Sequence, residues 1–130
     1  MNKNRNGFSL VEVLTAVGII GIILFLALPN IVKVKEDSEI NLAITRAEAF
    51  NMSMASYIQT NGHTKAANLW AAAADDDARY QLVRPYLAFA PTTRAQFMPS
   101  GFEIVIEDTL TNINKVPLKY AGTGGANIPY

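Results

Sequence analysis

The chain of 130 residues contains no cysteine and a single histidine, His63. Without cysteine there is no disulfide and no thiolate chemistry, so a domain exported from the cell has to hold together by packing alone. One histidine leaves no histidine cluster for a metal, and no glycine-rich loop is present to cradle phosphate. Neither sign of charge is in excess: 11 basic and 11 acidic residues give a formal net charge of zero. No basic stripe stands out, so nucleic acid is not indicated as a partner. Catalysis finds no support in this inventory, and the chain reads as a non-enzyme without cofactor or metal. His63 follows a helix-ending glycine and is expected in a surface loop, with no role of its own.

What the chain does have is one long apolar run, within "RNGFSLVEVLTAVGIIGIILFLALPN". From Val13 to Leu28 there is no charge, and Thr15 is the only polar side chain. Counted from Phe8 to Leu28 the run makes roughly 31 Å of helix at about 1.5 Å per residue, enough for a hydrocarbon core of about 30 Å. Lys3 and Arg5 lie just before it, which predicts a cytoplasmic N-terminus and a domain on the far side of the membrane. A secretory signal peptide would have a shorter apolar centre and a small-residue cleavage site, and "LALPNIVKV" offers no A-x-A pattern. A plain single-span anchor accounts for the length but leaves Glu12 unexplained. A carboxylate at the bilayer centre costs about 2.5–3.5 kcal/mol on insertion scales, less near the end of a span, and by default such an acid has a function and a partner.

The stretch "GFSLVEV" resembles the prepilin motif of type IV pilins and type II secretion pseudopilins. The resemblance implies a leader, residues 1–7, removed on the cytoplasmic side by a prepilin peptidase that cuts between Gly7 and Phe8 and N-methylates Phe8. Loss of Lys3 and Arg5 with the leader takes the 11 basic residues to 9 against 11 acidic ones. Glu12 then stands where the family keeps its glutamate, which pairs with the N-terminal ammonium of a neighbouring subunit during assembly. Physical reasoning agrees with the carry-over. Phe8 and Glu12 are at i, i+4 spacing, which puts both on one face of a helix that includes them. Each charge is costly alone in lipid, and pairing recovers part of that cost. A neighbour docked out of register would leave the acid unpaired, so Glu12 can set subunit register. Gly21 and Pro29 fall where many pilins carry a glycine and a proline. Both weaken a helix, Gly by about 1 kcal/mol, and both are common in membrane spans. The family implies that this stretch kinks or unwinds on packing into a filament. The resemblance covers residues 3–32, and none is found after residue 62.

From Asn30 to Thr60 there is no glycine or proline. Ile40, Ala43, Ile44, Ala47, Phe50, Met54, Tyr57 and Ile58 form an i, i+3, i+4 stripe, with Glu39, Arg46, Glu48, Ser53 and Gln59 mostly bordering or opposing it. Gly62 is a natural helix stop after Asn61. One helix from Phe8 to about Asn61 follows, lipid-embedded in its first half and amphipathic in its second. "KVKEDSE", from Lys33 to Glu39, reads as charge at the headgroups or as inter-subunit ion pairing. Leu42 and Met52 lie off the stripe, open to neighbouring subunits or simply exposed.

In the remainder, "NLWAAAA" reads as a short helix. Asp75, Asp76 and Asp77 cap a second one containing "ARYQLVRPYL", with its last turn in doubt at Pro85. Three adjacent acids also suggest calcium, but they lack the D-x-[DN]-x-[DN]-G spacing. Some pseudopilins hold calcium in a C-terminal loop; here "YAGTGGANIPY" carries no acid. "PTTRAQFMPSG" reads as a loop and "FEIVIED" as a strand, followed by a turn at "TLTNIN". "KVPLKY" reads as an antiparallel partner that Pro117 confines to an edge. The glycines after Ala121 suggest a flexible tail. Trp70, Tyr80, Tyr86, Phe89, Phe97 and Phe102 read as the core of this part, or as the lining of a ligand groove.

The expected fold is therefore α+β and pilin-like: leader 1–7, transmembrane half-helix 8–32, amphipathic stem 33–62 and a small head 63–130 with a small antiparallel sheet. The expected function is that of a structural subunit, processed by prepilin peptidase and assembled into a type IV pilus-like filament through its N-terminal helix. The alternatives are a pseudopilin of a type II secretion system, or a membrane-anchored binding domain that does not polymerise. The family implies sibling pilins, a platform protein and an assembly ATPase as partners. It implies an inner-membrane, single-pass precursor with a periplasmic head, then a periplasmic or surface filament.

Overall fold

A computed structural model describes residues 6–110, 114–122 and 124–130. The expected topogenic charges Lys3 and Arg5, and residues 111–113 of the expected turn, lie outside the described residues. Helix α1 runs over Leu10–Asn61, α2 over His63–Ala72, α3 over Asp76–Val83 and α4 over Arg94–Phe97, with a 3-10 turn at Arg84–Tyr86 after α3. Strands β1 (Phe102–Ile104), β2 (Leu118–Tyr120) and β3 (Asn127–Ile128) form an antiparallel sheet in the order β1-β2-β3. The fold is the expected pilin-like α+β arrangement. The chain divides into two units, one up to Ser38 and one from Glu39 onwards.

The first unit is the apolar part of α1. It is long and apolar enough to cross a membrane, and none of its most apolar stretch is buried within the chain. Leu10, Leu14, Phe25, Ile31 and Val34 are all exposed. Monomeric soluble proteins rarely present contiguous apolar patches beyond about 300–600 Å², so this surface requires lipid or partner chains to cover it. Thr15, the one polar residue of the run, donates its hydroxyl to the Val11 carbonyl one turn back at 2.7 Å and needs no external partner. The Lys33–Glu39 segment is helical and exposed.

In the second unit the stripe on α1 packs as its spacing requires. Ala43, Ala47, Phe50, Met54, Tyr57 and Ile58 are buried, with Ile40 and Ile44 packed at the margin. The two alanines admit close approach, and the larger side chains meet Trp70, Tyr80 and Phe97. Phe50 and Phe97 have ring centroids 6.1 Å apart, Tyr57 and Trp70 6.2 Å, Tyr80 and Phe97 5.7 Å. Full burial of such a side chain is worth about 1.5–3 kcal/mol. Ser53, expected at the border, is buried instead; its hydroxyl is satisfied by the Phe50 carbonyl at 2.7 Å, so the core tolerates it.

Gly62 ends α1 at φ 77°, and its N–H returns to the Ile58 carbonyl at 2.8 Å. The chain re-enters a helix at once, so His63 is the first residue of α2 and not part of a loop, although it is exposed. Helix α2 thus starts earlier than "NLWAAAA" and buries Ala66 and Trp70, whose indole N–H donates to the Glu107 carbonyl at 2.8 Å. Asp75 caps α3, accepting from the Ala78 N–H at 2.8 Å, with Asp76 and Asp77 in the first turn. Pro85 tightens the chain after Val83 into the 3-10 turn.

Five sequence expectations differ from the structure here. "TTRAQF" is not all loop: Arg94–Phe97 makes a helical turn whose last carbonyls, Gln96 and Phe97, accept from the Arg46 guanidinium on α1. Strand β1 is only Phe102–Ile104, although Val105 N–H still reaches the Pro117 carbonyl at 2.9 Å. Pro117 does not put its strand at an edge. It precedes β2, so its missing N–H is not needed in the ladder, and β2 is the central strand. The tail is not loose: β3 pairs with β2, with Ile128 buried opposite Leu118. Beyond it the Tyr130 hydroxyl donates to the Val116 carbonyl and accepts from the Asn51 amide at 3.0 Å, while the Asn51 carbonyl accepts from the Val116 N–H at 2.9 Å. Among the aromatics, Trp70, Tyr80 and Phe97 are buried and Tyr86 and Phe102 are packed against the core. Phe89 is not core at all but fully exposed.

Candidate functional site

Three of the residues singled out in the sequence, Gly7, Phe8 and Glu12, lie at the start of α1. Asn6 to Ser9 are not helical, and α1 begins at Leu10. Gly7 and Phe8 therefore lie in non-helical, exposed chain, with Phe8 at 90% relative accessibility. This corrects the i, i+4 argument, which required Phe8 to be part of the helix.

The reason the helix starts where it does is a pair of reciprocal hydrogen bonds. Ser9 Oγ accepts from the Glu12 N–H at 3.2 Å, and Glu12 Oε2 accepts from the Ser9 N–H at 2.8 Å. This is a capping box: the Ser at the N-cap and the Glu at the third helical position each satisfy a backbone donor that the helix leaves unpaired. The Ser9 carbonyl meanwhile accepts the first helical bond, from Val13 N–H at 3.2 Å. A carboxylate in the first turn also lies at the positive end of the helix dipole. Glu12 is thus turned back toward the N-terminal end of the helix, onto the amide next to Phe8. Ser9 is not among the residues that the motif singles out, although its signal is legible: Ser-x-x-Glu just before an apolar run marks a helix start.

Further along, Gly21 and Pro29 are both inside α1, which continues through them. A Cβ built on Gly21 would meet nothing within 4 Å, so packing inside the chain does not call for a glycine there.

The acidic cluster of the second unit is tied up by arginines. Arg79, 7% exposed, reaches Asp76 at 3.1 Å, Asp108 at 2.8 Å and the Ala73 carbonyl at 3.5 Å. Arg94 reaches Asp77 at 3.3 Å and Asp76 at 3.7 Å. Among the described residues there is no group of His, Cys, Asp or Glu arranged to hold a metal ion.

Comparison with known families matches the chain to the prokaryotic N-terminal methylation motif over residues 2–28. Comparisons with curated proteins and with solved structures return no match. The matched motif and the long apolar helix together support the type IV pilin and pseudopilin family, and a structural subunit anchored through that helix.

Proposed function

We propose that the chain is a prepilin that becomes a subunit of a type IV pilus-like filament. The observation that carries this reading is the methylation motif of residues 2–28 coinciding with a capped apolar helix whose surface nothing in the chain covers. A prepilin peptidase removes residues 1–7 by cutting between Gly7 and Phe8, and methylates the Phe8 amine. The non-helical, exposed conformation around Gly7 and Phe8 supports that cleavage, because a bond outside a helix needs no unwinding to be reached. Residues 8–32 span the inner membrane with the N-terminus cytoplasmic, residues 33–62 form the stem, and residues 63–130 form a periplasmic head.

Glu12 then sets subunit register by accepting the Phe8 ammonium of a neighbour. Its cap to Ser9 supports this role, because it holds the carboxylate at the end of the helix where that ammonium arrives. A carboxylate has acceptor positions for more than one donor, so cap and ammonium are compatible. Gly21 and Pro29 lower the cost of unwinding as the helices pack. Sibling pilins, a platform protein and an assembly ATPase complete the machine. Within this reading a surface fibre and a type II secretion pseudopilus are told apart by neighbouring genes: a retraction ATPase for the first, a secretin with secretion partners for the second.

The test is intact-mass and N-terminal analysis of the protein from native membranes. The expected product begins at N-methyl-Phe8. An intact Met1 start, in a strain with an active prepilin peptidase, would leave a membrane-anchored domain and overturn the reading.

A further inference from the structure

Phe89 combines two unfavourable features. Its side chain is fully exposed, and its backbone stands at φ 54°, in the left-handed region where a bulky L residue is strained. Every other positive-φ position among the described residues, namely Gly62, Gly101, Gly122 and Gly124, carries glycine. A glycine at 89 would relieve the strain and remove the exposed ring, yet the chain keeps phenylalanine. The turn that carries it is firmly based. Leu87 N–H bonds the Arg84 carbonyl at 3.0 Å, Tyr80 Oη donates to the Pro91 carbonyl at 2.9 Å, and Gln81 Nε2 donates to the Thr92 carbonyl at 2.8 Å. The ring is held out on a fixed support, as an interface anchor is.

A receptor for such a ring exists elsewhere on the same unit. Between α4 and the sheet is an open recess of about 220 Å³, walled by Ala95, Met98, Phe102, Ile104 and Ala121. A cavity of about 150 Å³ suffices for benzene. The charge beside the knob is positive, and the recess carries Arg94, already paired with Asp76 and Asp77, as well as the acid Glu103. Arg84 shares a shallow depression with Leu87 and Ala90, which flank the Ala88–Phe89 tip, and Glu103 lies on the recess wall. Among the described residues neither is in an ion pair; Glu103 has Lys119 as its register partner across β1 and β2 without forming one.

Knob and recess share no residue, so a contact between them joins two different surfaces. Such a heterologous contact repeats from copy to copy, and where its rotation does not close a ring it builds an open helical array. We propose that Phe89 of one subunit inserts into the Ala95–Met98–Phe102–Ile104–Ala121 recess of the next copy of this chain, with Arg84 against Glu103. The inference rests on the filament reading and adds to it a head-to-head contact that the N-terminal helix does not provide.

The absence of cysteine makes cross-linking clean. In the full-length chain, Ala88→Cys with Ala121→Cys places one thiol beside the knob and one at the recess. On oxidation of sheared filaments the double variant is expected to give a ladder of dimers, trimers and higher species, and each single variant none. Adding Phe89→Ser, at a side chain that supports nothing in its own subunit, is expected to cut the ladder about tenfold or more, as for loss of an aromatic anchor. Filaments without a ladder, dimers from Ala88→Cys alone, or a ladder that survives Phe89→Ser would each overturn the contact while leaving the filament reading intact. No filament from the unmodified chain, with an unprocessed N-terminus, would overturn both.

Discussion

Ser9 and Glu12 hold each other: each side chain accepts the other's backbone N–H, at 3.2 and 2.8 Å. The acid that looks out of place in a membrane-bound helix is therefore already engaged within its own first turn. Its two roles, cap and proposed register device, call on different properties of one side chain, and they can be separated.

Glu12→Gln keeps a residue that serves in a capping box and removes the charge. Ser9→Ala does the reverse, at about 1 kcal/mol for loss of an N-cap. Both variants should insert into membranes normally. Glu12→Gln and Glu12→Ala should be absent from sheared filaments, whereas Ser9→Ala should enter them with faster amide exchange over residues 10–13. Normal incorporation of Glu12→Ala would sink the register role.

Arg79 ties the end of α2 to α3 and to Asp108 after β1, from a position that is almost fully buried. Asp108 itself is largely exposed, so solvent discounts that pair. Arg79→Met, which keeps most of the buried stem, should cost about 1.5–3 kcal/mol, the range for hydrogen bonds to charged groups. At roughly 4–8 °C per kcal/mol for a domain of this size, the loss is readable by thermal melting in detergent. Arg79→Lys should recover only part of it, because an ammonium lacks the guanidinium fork.

Burial raises the pKa of the Tyr57, Tyr80 and Tyr130 hydroxyls above the ordinary value of 10.0; for Tyr130 the hydrogen bond with Asn51 partly opposes the rise. The folded state thus holds these protons more tightly than the unfolded chain does. Their contribution to stability is complete below about pH 10 and is lost as pH climbs through the raised values. Titration followed at 295 nm should show phenolate appearing together with loss of near-ultraviolet dichroism. Ionisation of Tyr57, Tyr80 and Tyr130 at about pH 10 with the fold intact would contradict this.

Phe89→Asn should raise the melting temperature of the monomer. The ring leaves no cavity because it is fully exposed, and asparagine tolerates the left-handed region better. Relief of about 1 kcal/mol corresponds to a few degrees. A lower melting temperature would mean that the ring supports its own subunit.

The parts of the fold that could be read in the sequence are those governed by local periodicity and punctuation. The α1 stripe, its stop at Gly62 and the Asp75 cap each depend on residues within a turn or two. The misplaced parts depend on partners far away. Pro117 reads as an edge signal until β3 returns to make β2 central. The tail from Gly122 reads as loose because its glycines hide the pairing of Ile128 with Leu118 and because its other anchor, Asn51, lies 79 residues from Tyr130. Phe89 reads as core because aromatic residues are usually buried, and nothing local announces a left-handed turn at a phenylalanine. At the candidate site, Gly7, Phe8 and Glu12 were visible through the motif. The reason for the helix start is equally local, in the Ser-x-x-Glu pattern of Ser9 and Glu12.

The bond from Asn51 to Tyr130 spans 79 residues of sequence. The Val116 N–H and carbonyl are satisfied through the same two side chains, so the knot closes only when all three segments are present together. The helix stripe and the first helices after it precede that segment in the chain, so the stripe residues lack part of their cover until the segment around Tyr130 is in place. Until the knot closes, apolar surface of the stripe stays open. The three-way bond thus couples the packing of the helix stripe to the segments around Val116 and Tyr130, so that loosening any one of the three uncovers the others.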